Sequence, residues 1–376
     1  MTHAATWRLE TADGPARAGH LELTHGTVET PAFMPVGTRA AVRALDTHDL
    51  GAVGAQMVLA NTYHLMLRPG AELVARMGGL HGFMAWNGPI LTDSGGYQIL
   101  SLEPRITEDG ATFRSVYDGS MVHLRPEDAV KVQELLGPDV AMVLDVCLAL
   151  PAPAERVREA MELTLRWAER ALAAHQRPDQ ALFGIVQGGT DPELRRESAS
   201  RTAALGFAGF GIGGLSVGEP PQERNRALEA VMPELPDGKV RYVMGLGDAE
   251  GVLDAVARGA DLFDCVWPTR LARHGRVLTS SGDYNLRRAE FAEDPAPLAP
   301  DCDCLTCRTY SRAYLRHLLI TRELSVHRLV SLHNLTYTLG LMRDARRAIV
   351  AGTFEDFHAE VVENRRRGVG SETPLS

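Results

Sequence analysis

Apolar residues gather in eight short runs, near residues 31–37, 57–61, 89–93, 139–146, 182–188, 209–214, 241–246 and 261–266. Stretches of helical periodicity separate most of them. Eight buried strands alternating with helices predict a (β/α)8 barrel. The polar residues sharpen that expectation, because Asn61, Asp93, Asp145, Gln187, Gly213-Gly214, Met244-Gly245 and Asp264 all fall at the C-terminal end of an apolar run. In a barrel those ends converge on one face, where catalytic groups gather. A doubly wound sheet is the competing architecture, but its ligands collect at a switch point and would not need every strand.

Ahead of these runs, the first thirty residues alternate apolar and polar around Gly14 and His25-Gly26, which predicts short hairpin strands. Two segments break the barrel pattern. Residues 97–125 contain Tyr117-Asp118-Gly119-Ser120 at an expected turn and predict an inserted hairpin or small sheet. Residues 280–345 hold three cysteines and an Arg-studded helix expected from about Arg308 to His317, as in a metal-stabilised subdomain. The expected organisation is a barrel over 1–279 with the N-terminal strands and the insertion, the subdomain over 280–345, and a helical segment over 346–376. The run Asn364-Arg365-Arg366-Arg367 reads as a solvated helix end.

With 45% hydrophobic and 23% charged residues, the composition is that of an ordinary soluble protein with ample core. No apolar run reaches the roughly 18 residues of a membrane helix. The N-terminus, MTHAATWRLETADG, lacks an apolar signal region. A cytoplasmic location is therefore expected. A net charge of −9 argues against a nucleic-acid partner, but the charge is unevenly distributed along the chain. Residues 270–347 hold thirteen Arg and no Lys against eight Asp and Glu, so a basic surplus begins just after the last apolar run.

That last run is followed by the arginines of DLFDCVWPTRLARHGR. A carboxylate at a strand's exit, Asp264, can be a nucleophile or a base, and nearby arginines suit an anion such as phosphate. A capping Asp before a solvated loop is the alternative. In LTDSGGYQ, Asp93 precedes two glycines that allow a tight turn or close approach to a flat ligand; a helix N-cap would look the same. With Asp145 and Asp264 at equivalent strand ends, the functional reading is preferred. FGIVQGG and GIGGLSVGE do not match G-x-G-x-x-G and lack the ribose-binding acid of a dinucleotide site. They fit edge-on recognition of a base: an Asp carboxylate accepts from a guanine-like N–H edge, while Gln187 and the Gly214 N–H donate to a carbonyl oxygen.

Cys302, Cys304 and Cys307 form C-x-C-x-x-C, three parts of a tetrahedral zinc site. His333, in LVSLHNLTYTLG, is the best fourth ligand, with His317 and His327 behind it. Four protein ligands leave no open position, so the metal should be structural. An iron–sulfur cluster would want a fourth Cys, and Cys147 and Cys265 belong to barrel strands.

DSGGYQ, FGIVQGG, GGLSVGE, RYVMGLG, FDCVWPTR and C-x-C-x-x-C with a later His, in this order, resemble the bacterial tRNA-guanine transglycosylase (queuine tRNA-ribosyltransferase) family. The likeness runs from about His25 through His333. It implies a (β/α)8 barrel with a zinc subdomain, often a homodimer. The implied activity is that of a pentosyltransferase of queuosine biosynthesis, which exchanges the wobble guanine of GUN-anticodon tRNAs (Asp, Asn, His, Tyr) for a 7-deazaguanine base. Carried over by motif, Asp264 is the nucleophile and Asp93 the general acid/base. Asp145, Gln187 and the Gly214 backbone hold the base, with Leu215, Cys147 and Asn61 in the same pocket and Tyr97 and Met244 against its faces. Arg270 and Arg273 hold the anticodon loop. Cys302, Cys304, Cys307 and His333 bind one Zn2+.

The chain departs from the family at Val146, where bacterial members have Glu between Asp145 and Cys147; this loses a polar buttress behind the base. Val217, with Cys147, follows the bacterial pattern. Its branched side chain should leave little room for queuine's cyclopentenediol, which makes 7-aminomethyl-7-deazaguanine the expected base. The chemistry is consistent: a carboxylate can capture the oxocarbenium-like sugar, the incoming base must lose a proton, and two displacements retain configuration. No redox or phosphoryl cofactor is called for. A non-catalytic tRNA-binding paralogue would not need three converging acids. A retaining glycosidase would not need the Cys and Arg module.

Overall fold

The computed structural model describes residues 4–369. Eight parallel strands, Ala32–Gly37, Val58–Ala60, Ile90–Thr92, Val140–Met142, Ala181–Val186, Gly209–Ile212, Val240–Val243 and Leu262–Cys265, close into a barrel, one for each apolar run. The last strand pairs with the first, Asp264 opposite Met34, completing the ring. Met34, Leu91, Met142, Phe183, Phe210, Tyr242 and Phe263 on these strands are buried, so the barrel has a packed core. The fourth strand stops at Met142, and residues 143–146 continue as a loop that carries Asp145 onward.

The N-terminal residues form a three-stranded antiparallel sheet, Ala5–Asp13, Ala16–Leu23 and Gly26–Thr30, turning at Gly14 and His25 as their alternation predicts. A second small antiparallel sheet, Arg105–Ile106, Ala111–Arg114 and Met121–Leu124, fills the expected insertion. Its turn is fixed by Asp118, which accepts from the Ser120 amide at 3.1 Å.

After the barrel, Val277, Leu286, Phe291, Leu298, Leu315, Leu319 and Val330 gather in a separate small core. The single helix expected over 308–317 is two helices, Leu305–Thr309 and Arg312–Ile320. The break lies at Ser311, whose hydroxyl caps the second helix by accepting from the Tyr314 amide at 3.2 Å. Helix Ser325–Ala351 joins both units: Val326, Leu329 and Val330 pack in the small core, while Leu332, Leu335, Leu339 and Ala345 pack in the barrel core. Residues 345 and 346, the expected subdomain boundary, lie within this helix. In the last helix, Phe354–Val369, Arg365 is not the solvated residue expected. It turns inward and donates to the Thr279 carbonyl and to Asp283, both at 2.9 Å. Among the described residues no helix is long and apolar enough to cross a membrane.

Candidate active site

The C-terminal ends of the barrel strands surround a cavity of about 290 Å³. Asn61, Asp93, Tyr97, Asp145, Cys147, Gly214, Leu215, Met244, Asp264 and Arg270, drawn from the strand ends and from the loops and helices that follow them, all line it. Gln187 stands behind this lining, bonded to Asp145. Arg273 sits one helical turn beyond Arg270, outside the cavity, with its guanidinium donating to the Thr269 carbonyl at 2.9 Å.

Asp264 is held by two donors on the same oxygen. The Tyr242 hydroxyl donates to Oδ1 at 2.5 Å, and the Gly245 amide donates to it at 2.8 Å. Gly245 can present its N–H because the chain turns there with φ +74°. Burial raises the Asp264 pKa, against the lowering effect of these two bonds. Asp93, directly after the third strand, accepts from the Thr62 amide at 3.0 Å and from the Asn61 side-chain nitrogen. Burial, with a smaller contribution from the charge of Asp264, pushes Asp93 up to about 7. One carboxylate is thus fixed through a single oxygen, and the other is poised to gain or lose a proton near neutrality. Asn61 also accepts from the His64 amide at 3.0 Å, so both ends of its side-chain amide are bonded within the protein.

A polar wall stands beside this pair. Asp145 accepts from Ser94 at 3.1 Å on one oxygen and from Gln187 at 2.6 Å on the other, and burial raises its pKa. Gly214 takes φ +66°, and a Cβ there would lie 2.3 Å from the Gln187 side-chain oxygen, so only glycine fits. Cys147 is buried, and its thiol is pushed up to about 12 by that burial, so it is a neutral group. Val146 packs with Ile99, Leu144, Ala160 and Trp167; a carboxylate at this position would face an apolar cluster. Tyr97 is 60% exposed on the rim, well placed to meet a flat ligand.

Two site residues are not apparent from sequence. Tyr242 lies inside RYVMGLG but looks like an ordinary strand aromatic; strand alternation alone does not reveal that its hydroxyl reaches Asp264. Arg195 sits in the polar helix PELRRESASRTAA and looks solvated, yet it is fully buried. It donates to the carbonyls of Gly189 at 2.7 Å, Val186 at 3.0 Å and Gly214 at 3.3 Å, bracing the Gln187 and Gly214 loops. Burial lowers its pKa to about 10, which leaves it charged.

Beyond the helix that follows Asp264, the Cys302, Cys304 and Cys307 sulfurs and a His333 nitrogen all lie within 4.8 Å of one another. His333 Nδ1 is 3.2 Å from the Cys307 sulfur and 3.7 Å from that of Cys304. Its Nε2 lies 2.9 Å from the Leu278 carbonyl, which fixes the tautomer that leaves Nδ1 for a metal. Hydrogen bonding among the three thiols lowers Cys304 and raises Cys307, so a metal bound here would have to displace a proton from Cys307. The cluster can therefore hold a metal ion with four protein ligands.

Fold and site together define a (β/α)8 barrel with three buried carboxylates, Asp93, Asp145 and Asp264, gathered at the C-terminal ends of its strands. The queuine tRNA-ribosyltransferase family model matches residues 12–367. The chain is 51% identical to a queuine tRNA-ribosyltransferase of Moorella thermoacetica over 355 residues, 94% of this chain and 95% of that one. It is 52% identical to that of Herpetosiphon aurantiacus over 354 residues (94% and 90%), and 50% identical to that of Thermus thermophilus over 370 residues (98% and 95%). The chain belongs to the queuine tRNA-ribosyltransferase family, and it is a pentosyltransferase.

Proposed function

We propose that the chain exchanges the wobble guanine of GUN-anticodon tRNAs, those for Asp, Asn, His and Tyr, for 7-aminomethyl-7-deazaguanine in queuosine biosynthesis. The observation that carries this reading is the single-oxygen anchorage of Asp264 beside an Asp93 that titrates near neutrality. With Tyr242 and Gly245 both on Oδ1, Oδ2 is the nucleophilic oxygen. It attacks the ribose C1′ as the bond from C1′ to the guanine nitrogen breaks, and the protonated Asp93 gives its proton to the departing base. The incoming base then gives a proton back to Asp93 as its own nitrogen attacks C1′ and displaces Oδ2. Each step exchanges one bond at C1′ for another, and the two inversions retain configuration.

Base recognition falls to Asp145, Gln187 and the Gly214–Leu215 backbone, with Cys147 at the base's edge and Tyr97 and Met244 against its faces. Asn61 acts by holding Asp93. Val217 lines the same cavity and narrows it against a larger 7-substituent. The Cys302, Cys304, Cys307 and His333 site suits Zn2+, whose preference for tetrahedral thiolate and imidazole ligands it matches; the metal's part is structural. Arg270 on the cavity rim and Arg273 beyond it hold the anticodon loop. A homodimer acting in the cytoplasm accords with this reading.

Incorporation of labelled guanine into a tRNA transcript carrying guanine at the wobble position tests the proposal, and absence of incorporation at any pH would refute it. The same assay separates Tyr242's role from simple packing. Tyr242→Phe removes a bond that lowers the Asp264 pKa, so Asp264 should stay protonated to higher pH. The acid limb of the pH–rate profile should move upward and kcat should fall about 10- to 100-fold. An unmoved limb would leave Tyr242 with a packing role only.

A further inference from the structure

We propose that His25, His81 and Asp139 form a metal site at the foot of the barrel, taking a first-row divalent ion such as Zn2+ through two imidazoles and a carboxylate. The site is separate from the cysteine cluster and independent of base exchange.

The three residues come from segments far apart in sequence. Asp139 stands directly ahead of strand Val140–Met142, at the N-terminal end of the barrel and opposite its mouth. His25 lies in the turn between the second and third strands of the N-terminal sheet, and His81 in helix Gly79–Met84. The turn is held by Thr24, whose hydroxyl donates to the Asp179 carbonyl at 2.8 Å. The His25 and His81 rings stack, with centroids 3.6 Å apart and planes 17° from parallel. Both turn a nitrogen toward one carboxylate: His25 Nδ1 lies 2.8 Å from Oδ1, and His81 Nε2 lies 3.1 Å from Oδ2. One ligand atom from each residue falls within 4.8 Å of the other two.

A clamp of hydrogen bonds is the simpler use of such a group, but it does not require the imidazoles. Backbone amides already serve each oxygen, His25 N–H donating to Oδ1 at 2.9 Å and Ile90 N–H to Oδ2 at 2.8 Å. These bonds fix the plane of the carboxylate, as the outer partners of a metal-ligating carboxylate do. Asp139 is buried, and among the described residues the two imidazoles are its only ion-pairing partners. A buried carboxylate needs a counter-charge, which an ion held by both rings supplies.

The geometry is close to what such an ion demands. Ligands bonded at about 2.0–2.2 Å in a tetrahedral arrangement lie about 3.3 Å apart, so the nitrogen–oxygen separations need open by only about half an ångström or less. Each ring must then carry its proton on the far nitrogen, His25 Nε2 and His81 Nδ1. Neither has a protein hydrogen bond among the described residues, so no contact locks the opposite tautomer. The His25 side chain is 40% exposed, which gives the ion a way in and lets water complete its coordination. Away from the mouth, the ion would tie the N-terminal sheet and helix Gly79–Met84 to the barrel floor, the end of this fold that serves stability.

The test compares the full chain with His25→Asn/His81→Gln. Asn and Gln place an amide nitrogen near the present Nδ1 and Nε2, so hydrogen bonds to Asp139 can persist while the metal ligands are lost. After dialysis against excess Zn2+, the parent should hold two zinc ions per chain and the double variant one. Affinity for the second ion should fall about 100-fold or more, beyond what loss of an outer partner costs. The parent's melting temperature should keep rising with zinc past the first equivalent, as binding to the folded state requires, and the variant's should not. Co2+ in this site should show weak visible bands without the intense near-ultraviolet absorption of cobalt–thiolate bonds. Should the double variant fail to fold, His25→Asn alone, at the half-exposed position, carries the same expectations. A parent that holds one zinc ion under excess metal would overturn the site, as would a second ion that the His variants retain.

Discussion

Asp264→Asn should abolish base exchange, lowering kcat by about 10⁴-fold or more, while leaving fold, metal content and base binding in place. The isostere makes this informative. Asn keeps an oxygen where Tyr242 and Gly245 donate to Oδ1, so the local structure has no reason to change. What it replaces is Oδ2, substituting an amide nitrogen whose electrons are delocalised and which cannot capture the sugar. The groups proposed to bind the base, Asp145 and Gln187, make no bond to Asp264. Near-normal turnover by the Asn variant, measured with labelled guanine, would remove Asp264 from the nucleophile's role.

Cys304→Ser should release the metal and destabilise the chain by about 4 kcal/mol or more, a size that point substitutions reach when they empty a metal site. Ser can still cap helix Leu305–Thr309, because its hydroxyl can accept from the Cys307 amide as the Cys304 sulfur does at 3.4 Å. The loss therefore reports the metal bond rather than the cap. The small core behind the cluster is limited to residues such as Val277, Leu286, Phe291 and Leu315, too few to hold the segment firmly without a cross-link. Thermal unfolding should show an early transition of this unit, accompanied by weaker binding of tRNA. Full metal content with an unchanged melting temperature would contradict the assignment.

The barrel was legible because its signal is collective: eight apolar runs and a polar residue closing most of them leave little freedom in where the strands lie and which ends form the mouth. The cysteine cluster was legible from spacing, and the three dimensions of the fold then bring His333 to the sulfurs. What could not be read was how side chains divide one another's bonding capacity. Asn61 lines the cavity, yet its amide is already engaged by Asp93 and His64, and nothing in its position along the chain says so. Tyr242 and Arg195 reach the site only through bonds across neighbouring strands and loops. The split of the Arg308–His317 helix at Ser311 follows from a capping hydroxyl that the helical pattern alone obscures. Arg365, at the chain's basic end, is drawn inward by Asp283, a partner 82 residues away.

Double displacement through Asp264 requires a covalent bond between its carboxylate and the RNA ribose. Incubating the protein with the tRNA transcript in the absence of incoming base, quenching in denaturant, digesting with nuclease and protease and mapping the modified peptide by mass spectrometry addresses it directly. A ribose-linked adduct is expected on the peptide containing Asp264, and it should be lost in Asp264→Asn. An adduct on Asp93 or Asp145 instead, or full base exchange with no adduct at all, would contradict it.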